Sequence, residues 1–291
     1  MKRELRVAAV QCKTLPLEMR GLNIDKMTRI VERIGKKKDL IVFPELSATG
    51  YGGDPVTLSF KKRLWEQAEE VPGSLTRTFE KVARKTGCHV AYGTAERSES
   101  RYNVHNAAVL VGPEGYVGHI RKTHLTGEDD APFEAGNEIK VFHTDLGMIG
   151  LMVCYDMWFP EVGRLLALKG ADLITILSSA FAGGKGGGIG SRRSKKAMWD
   201  ILPSSIALNN LVHVIACNGA GAIFLGKRLG YWERLGRTRI IDALGNIVGE
   251  TNSNHEAIVT GTLTRTTLEQ ARKQYSLLRD RVPRLYKPLI E

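Results

Sequence analysis

Residues 147–178 read GMIGLMVCYDMWFPEVGRLLALKGADLITILS, two apolar runs separated by an amphipathic stretch. The runs at 148–154 and 172–178 are rich in aliphatic and β-branched residues and have the length of buried strands. The stretch at 160–170 begins with proline and ends with glycine, which is typical of a helix between two strands. This alternation of strand and helix predicts a layered α/β fold.

The same alternation extends over most of the chain. Further strands are predicted at 6–12, 39–44, 89–94, 107–111 and 213–217. Further helices are predicted at 23–35, 74–87 and 194–209. Because no Pro- or Ser-rich linker separates these elements, we expect a single main domain.

Pieces of the first half of the chain recur in the second half, in the same order and at similar spacing. The pairs are DLIVFPE and DLITILS, HVAYG and HVIAC, and GPEGYVG and DALGNIVGE. We therefore expect two similar α/β halves whose sheets face each other, with helices outside. Chance recurrence of common strand sequences is the alternative.

The composition fits an ordinary globular protein. The chain has 291 residues, of which 43% are apolar and 25% are charged, which excludes disorder, collagen and coiled coil. The N-terminal apolar stretch is too short for a signal peptide, and no run reaches the ~18 apolar residues of a membrane span. We expect a soluble chain that contacts no membrane.

Four cysteines, Cys12, Cys88, Cys154 and Cys217, lie far apart with no CxxC pair. This spacing argues against a zinc cluster or a disulfide framework and favours a reducing, cytoplasmic compartment without a bound metal. The net charge is +11, concentrated at 36–38, at 192–196 and near the C-terminus. No aromatic residues alternate with these basic runs, so we expect solvated faces rather than a nucleic-acid interface.

Three residues lie at strand ends and turns, where catalytic or binding side chains are commonly found. Cys154 ends a strand just before a helix, a turn that presents a side chain at the sheet edge. Glu45 follows an apolar strand and Pro44, at the side where open α/β sheets hold ligands. Lys122 follows a strand that leaves the GPEG turn. The simpler interpretations are a buried structural thiol, a solvated carboxylate and an exposed strand lysine.

Taken together, these segments resemble the nitrilase superfamily of carbon-nitrogen hydrolases. The resemblance rests on FPE after an apolar strand, RKTHL after a hairpin, and a strand ending in CYDMWFPE. It covers nearly the whole chain and includes RVAAVQC, YNVHNAAVLVGPEG, FEAG, MWDILPSSIALNNLVHVIACNGAG and GRTRIIDALGNIVGE. The architecture that it implies is a four-layer α-β-β-α sandwich, in agreement with the repeated halves.

The resemblance also implies a set of catalytic roles without a cofactor. Cys154 would be the nucleophile and Glu45 the general base, while Lys122 and the backbone N–H of Tyr155 would stabilise the tetrahedral intermediate. An ordinary thiol is only a few per cent thiolate at neutral pH, so a carboxylate that takes its proton during attack is chemically useful.

The fourth catalytic position of the family is a second glutamate. In this sequence the corresponding position is Asp129, which follows Glu128. Either residue could serve, and an ordinary acidic loop is the alternative. The FEAG run lacks the proline usual in the family.

Other implied features concern the substrate pocket and the assembly. Tyr51, Trp158 and the glycine-rich loop at 183–190 are expected to border the pocket of a small-molecule substrate. The loop lacks the GxxxxGK[ST] spacing of a phosphate-binding loop. We expect a hydrolase domain at 1–265 and a C-terminal tail at 266–291, with a helix at 268–281 and then an extended segment, that contributes to a homodimer or larger homo-oligomer. A tail wrapped on its own subunit is the alternative.

The sequence therefore predicts a hydrolase of non-peptide carbon-nitrogen bonds that acts through a Cys154 thioester. Tyr155 and Asp156 after the nucleophile favour the amidase and N-carbamoyl amide hydrolase branches. Nitrile hydrolysis to the acid is the second candidate, and a non-catalytic basic binding protein is the third.

Overall fold

The computed structural model describes residues 1–127 and 131–289. The strands in these ranges are β1 (Glu4–Gln11), β2 (Leu40–Val42), β3 (His89–Arg97), β4 (Val104–Gly112), β5 (Gly115–Arg121), β6 (Val141–Thr144), β7 (Gly147–Val153), β8 (Leu173–Ser178), β9 (His213–Asn218), β10 (Ala222–Phe224), β11 (Tyr231–Glu233), β12 (Arg239–Ile241), β13 (Ile247–Glu250) and β14 (Ala257–Thr264). The α-helices are α1 (Arg20–Ile34), α2 (Leu58–Gln67), α3 (Ser74–Thr86), α4 (Pro160–Leu168), α5 (Arg192–Asn210), α6 (Gly226–Leu229) and α7 (Arg265–Gln274).

Two six-stranded sheets carry the fold, in the orders β14-β1-β2-β3-β4-β5 and β13-β12-β9-β8-β7-β6. In the first sheet β1, β2 and β3 are parallel, and in the second β7, β8 and β9 are parallel. In each sheet an antiparallel edge strand lies on one side of this parallel centre and an antiparallel pair on the other. This correspondence confirms the predicted fold of two similar halves.

Apolar side chains fill three interfaces between four layers. Leu5 and Leu40 of the first sheet pack with Ile149 and Leu173 of the second, in the space between the sheets. The outer face of the first sheet packs against α1 and α3, and that of the second packs against α4 and α5. Burial of each such aliphatic side chain contributes about 1.5–3 kcal/mol to stability. The α-β-β-α layering is thus held by apolar side chains at all three interfaces.

Some elements differ from the sequence prediction. The helix α2 and the short β10–β11 hairpin were not expected. The predicted tail helix ends at Gln274 rather than 281, and the segment predicted as extended contains two 3-10 turns, Pro283–Leu285 and Lys287–Leu289. Leu278 packs against the α4–α5 side, so the chain leaves the helical path to reach that surface.

The start of the tail is anchored to the body of the protein. Leu268 and Ala271 of α7 are buried against Leu211 and Ala243. Arg272 donates to the Asp172 carboxylate at 3.0 Å. Across the part of the chain that is described, no helix combines the length and apolarity that a membrane crossing needs.

Candidate active site

Cys154 occupies the sharp turn between β7 and α4. Its φ of 46° lies in the left-handed region, which is uncommon for a residue with a side chain. A short 3-10 helix, Cys154–Trp158, follows at once, and Pro160 begins α4. The turn places the half-buried thiol at the carboxyl edge of the second sheet.

The Cys154 thiol lies among groups that oppose its ionisation and groups that favour it. Burial is the main influence and, with the negative charge of Glu45, raises the pKa of the thiol to about 12. Lys122, the Ser178 hydroxyl and the Ser179 backbone act in the opposite direction, and Ser178 Oγ donates to Sγ at 3.3 Å. Cys154 is therefore a neutral thiol at pH 7, with even less thiolate than an ordinary cysteine.

Glu45 is held in a buried turn after β2. Its side chain is 5% exposed, so it is not a solvated carboxylate. Leu46, the next residue, has a φ of 50°, and the turn lies directly on Gly93 of β3. A Cβ at position 93 would lie 2.4 Å from the Leu46 nitrogen. A residue without a side chain is therefore required on β3 to bring Glu45 to this position.

Lys122 and Asn106 both donate to the Glu45 carboxylate. Lys122 Nζ lies 3.1 Å from Glu45 Oε1, and Asn106 Nδ2 lies 2.8 Å from the same oxygen. The backbone of Lys122 also donates to the carbonyl of Asn106 at 2.8 Å. Lys122 is 1% exposed, so it is not an exposed strand lysine. Sequence reasoning missed Asn106. The feature that could have indicated it is a single amide side chain within the apolar run of β4.

Asp156 connects the turn after β7 to the segment after β5. Its Oδ1 accepts from the backbone of Thr123 at 3.3 Å and of His124 at 2.9 Å, and its Oδ2 accepts from Val153 at 3.1 Å. The residue is 2% exposed. A buried carboxylate with several donors fixes the chain segments that it joins. Sequence reasoning used Asp156 only to choose a branch of the family and missed this role.

One cavity of about 660 Å³ brings Glu45, Lys122 and Cys154 together. Tyr51, Tyr155 and Trp158, all expected near the substrate, line it as well. Phe181 and Trp232 supply further aromatic walls and pack edge to face, with ring centroids 5.0 Å apart. Residues 188–190 of the glycine-rich loop also line the cavity. The cavity can therefore hold a small molecule beside the Cys154 thiol.

Glu128 and Asp129, the candidates for the fourth catalytic position, lie outside the described residues. Thr126 and Gly127, just before them, line the cavity. Within 1–127 and 131–289, His, Cys, Asp and Glu side chains form no group of three or more that could hold a metal ion.

The fold agrees with comparisons to known proteins. The carbon-nitrogen hydrolase family model matches residues 6–273. The chain belongs to this family, and it is a hydrolase that acts on carbon-nitrogen bonds.

Individual relatives extend over almost the full length. The probable nitrilase C965.09 of Schizosaccharomyces pombe is 28% identical over 275 residues, covering 92% of each chain. The omega-amidase NIT2 of Xenopus tropicalis is 25% identical over 297 residues, covering 97% of each. The crystal structure of a carbon-nitrogen hydrolase from Helicobacter pylori G27 superposes with a TM-score of 0.86 at 23% identity, covering 99% of each chain.

Proposed function

We propose that this protein hydrolyses small amides or N-carbamoyl amines to the acid and ammonia or amine, through a thioester on Cys154. The observation that carries the proposal is the shared cavity of the Cys154 thiol and the buried Glu45–Lys122 pair. A non-catalytic binding protein would have no need to bury a lysine and a carboxylate beside a thiol, because burying charged groups costs free energy.

The first half of the reaction forms the thioester. Cys154 Sγ attacks the amide carbon while Glu45 takes the thiol proton, because the high pKa of the thiol leaves almost no thiolate beforehand. The carbonyl oxygen becomes an oxyanion, which Lys122 and the Tyr155 backbone N–H stabilise. When the carbon-nitrogen bond breaks, Glu45 returns the proton to the leaving nitrogen, and ammonia or amine departs.

The second half releases the acid. Glu45, again a carboxylate, takes a proton from water as the water oxygen attacks the thioester carbon. The carbon-sulfur bond then breaks, the acid leaves, and the sulfur recovers its proton from Glu45. The net reaction converts the amide and water into the acid and ammonia or amine. One carboxylate serves both halves because it ends each half in its starting state.

Nitrile hydrolysis is the second candidate, and full-length relatives with both kinds of name exist. An amide places negative charge on oxygen at once, which suits Lys122 and a backbone donor, whereas a nitrile places it on a nitrogen that must be protonated. Tyr155 and Asp156 after the nucleophile also favour the amide reaction. We therefore propose amide specificity.

The deciding experiment measures ammonia release from small amides, carbamoyl amines and nitriles of matched carbon skeleton. We expect kcat/KM for the best amide to exceed that for its nitrile at least about tenfold, or about 1.4 kcal/mol in transition-state free energy. Faster hydrolysis of the nitrile would overturn the amide assignment and leave the thioester chemistry in place. No turnover of any member would favour the binding protein.

The proposal extends to assembly and location. Residues 1–265 form the hydrolase domain, and residues 266–291 form a tail that contributes to a homodimer or larger homo-oligomer. Exposed apolar side chains support this: Leu165, Leu168, Ile201 and Leu208 on the outer helices, and Tyr275, Leu277, Leu285, Tyr286 and Leu289 in the tail. Burial of such side chains against a partner is favourable. All four cysteines are free thiols, which fits a reducing, cytoplasmic compartment.

A further inference from the structure

Among the described residues that line the cavity, lysines outnumber carboxylates. Glu45 is the one carboxylate that lines it within the described residues, and Glu45 already pairs with Lys122. Lys195 of α5 also lines the cavity, and Arg234 is buried behind Ser179 of its wall. We propose that the amide substrate carries a carboxylate and that Lys195 binds this group; the inference rests on the proposed amide hydrolysis.

Lys195 is held in place by the glycine-rich loop. A Cβ on Gly183 would lie 2.9 Å from Lys195 Cγ, and one on Gly190 would lie 3.9 Å from Lys195 Cε. Gly183 also has a φ of 71°, in the left-handed region. Glycine at 183 therefore serves two needs, the turn of the loop and the space for the lysine stem. This packing indicates that the loop positions Lys195, a role that the sequence alone did not indicate.

The ammonium group of Lys195 has no carboxylate partner among residues 1–127 and 131–289, whereas its helix neighbour Arg192 pairs with Glu233. An ammonium that none of these carboxylates compensates lies here on the wall of a largely apolar cavity. It attracts an anionic ligand more strongly than it would in open water. Glu45 opposes this attraction only in part, because its charge is paired with Lys122. A substrate carboxylate would supply the missing partner.

Arg234 adds a fixed positive charge behind the same cavity wall. Its side chain is 1% exposed, and Nε donates to Ser179 Oγ at 2.7 Å. In the described part of the chain, Nη1 and Nη2 have no hydrogen-bond partner. Gly219 makes room for this side chain, since a Cβ there would lie 2.4 Å from Arg234 Cδ. Burial lowers the pKa of this guanidinium, and the negative charge of Glu45 offsets only part of that effect. An anion in the adjoining cavity therefore reduces the cost of burying it.

The side chain of Arg234 is directed to the cavity side of its segment. Trp232 and Arg234 are two residues apart on extended chain, so their side chains leave the same side, and Trp232 lines the cavity. Glu233 between them points the other way, to Arg192. One ammonium with a guanidinium behind it matches a single carboxylate better than a phosphate, which uses several N–H donors.

The test compares glutaric acid monoamide with its methyl ester, which has the same amide and no charge. We expect wild-type kcat/KM, measured by ammonia release, to favour the acid at least about tenfold. Lys195→Gln should reduce this acid-to-ester ratio at least fivefold, and Lys195→Arg should retain part of it. Lys196→Gln is the matched control, because Lys196 is exposed on the same helix and does not line the cavity; its ratio should equal the wild-type ratio.

Binding provides a readout that does not need turnover. Calorimetry with Cys154→Ala should show binding of glutaric acid monoamide that is weakened at least fivefold when Lys195→Gln is added. An equal preference for acid and ester, or an unchanged ratio in Lys195→Gln, would overturn the inference while amide hydrolysis stands. Binding that depends on Lys195 without turnover would instead support the inference and count against the proposed function. If neither Lys195-dependent binding nor turnover is found, the inference and the proposed function are both overturned.

Discussion

Asp156 Oδ1 accepts a 2.9 Å hydrogen bond from the backbone N–H of His124. Asp156 lies two residues beyond Cys154, and His124 lies two residues beyond Lys122. Because β5 belongs to the first sheet and β7 to the second, this carboxylate joins the two chain segments that carry Cys154 and Lys122. This buried side chain therefore helps to fix the Cys154 segment relative to the Lys122 segment.

Replacing Asp156 by Asn should disturb this connection. An amide cannot accept the same set of N–H donors, so we expect kcat/KM to fall at least about tenfold and the free energy of unfolding to fall by about 1–3 kcal/mol. Asp200→Asn is the control, since Asp200 pairs with Arg237 and Arg239 outside the cavity. It should lower stability without changing kcat/KM. Wild-type activity in Asp156→Asn would show that the connection is dispensable.

The charge of Glu45 has two separable effects on Cys154. In the proposed mechanism Glu45 is the general base, so Glu45→Gln should reduce kcat by about 100-fold or more. Its negative charge also raises the pKa of the thiol, so the same variant should have more thiolate at a given pH. Alkylation of Cys154 by iodoacetamide, followed by mass spectrometry across pH 7–10, should therefore shift to lower pH in Glu45→Gln.

Lys122→Met provides the opposite case for the same measurement. Lys122 lowers the pKa of Cys154, so its loss should shift the alkylation curve to higher pH. Shifts of the same sign in Lys122→Met and Glu45→Gln would contradict this electrostatic account of the cavity.

His213 should make the protein sensitive to acid. The ring is buried, with Nδ1 accepting from the Ala243 backbone and Nε2 donating to the Thr264 carbonyl, both at 3.1 Å. Burial lowers its pKa from the ordinary 6.5 to about 4. Between these values the unfolded chain takes up a proton and the folded chain does not. The stability that His213 provides is present above pH 6.5 and is lost as the pH falls toward 4, by about 3 kcal/mol at most.

Urea unfolding at several pH values between 7 and 4 measures this loss. His213→Gln should flatten the dependence without removing it, because burial also lowers the pKa of His89. An unchanged slope in His213→Gln would show that another group is responsible.

The tail should be needed for assembly. We expect sedimentation of the wild-type protein at micromolar concentration to give a dimer or larger species, and deletion of 276–291 to shift it toward the monomer. Leu58→Asp is the control and should leave the assembly unchanged, because Leu58 is also an exposed apolar residue but lies on α2. A wild-type monomer, or an assembly that the deletion leaves intact, would contradict the proposed role of the tail.

The sequence was informative where local pattern decides structure. The strands around Ile41 and Ile174 are continuous apolar runs because each lies between a helix layer and the opposite sheet, and such runs are recognisable without a structure. The contacts within the candidate site were harder to predict from the sequence. Asn106, Asp156 and Ser178 act through contacts with residues distant in sequence, and the left-handed φ of Cys154 and Leu46 is set by packing. Tertiary contacts of this kind leave no periodic signal.

The central claim is a covalent intermediate on Cys154, and the most direct measurement is mass spectrometry of the enzyme quenched in acid during turnover of a slow amide. We predict a mass increase equal to the acyl group, located on Cys154 and on no other cysteine, and loss of both adduct and turnover in Cys154→Ala. An adduct on another residue, or more than about a tenth of wild-type turnover in Cys154→Ala, would contradict the claim.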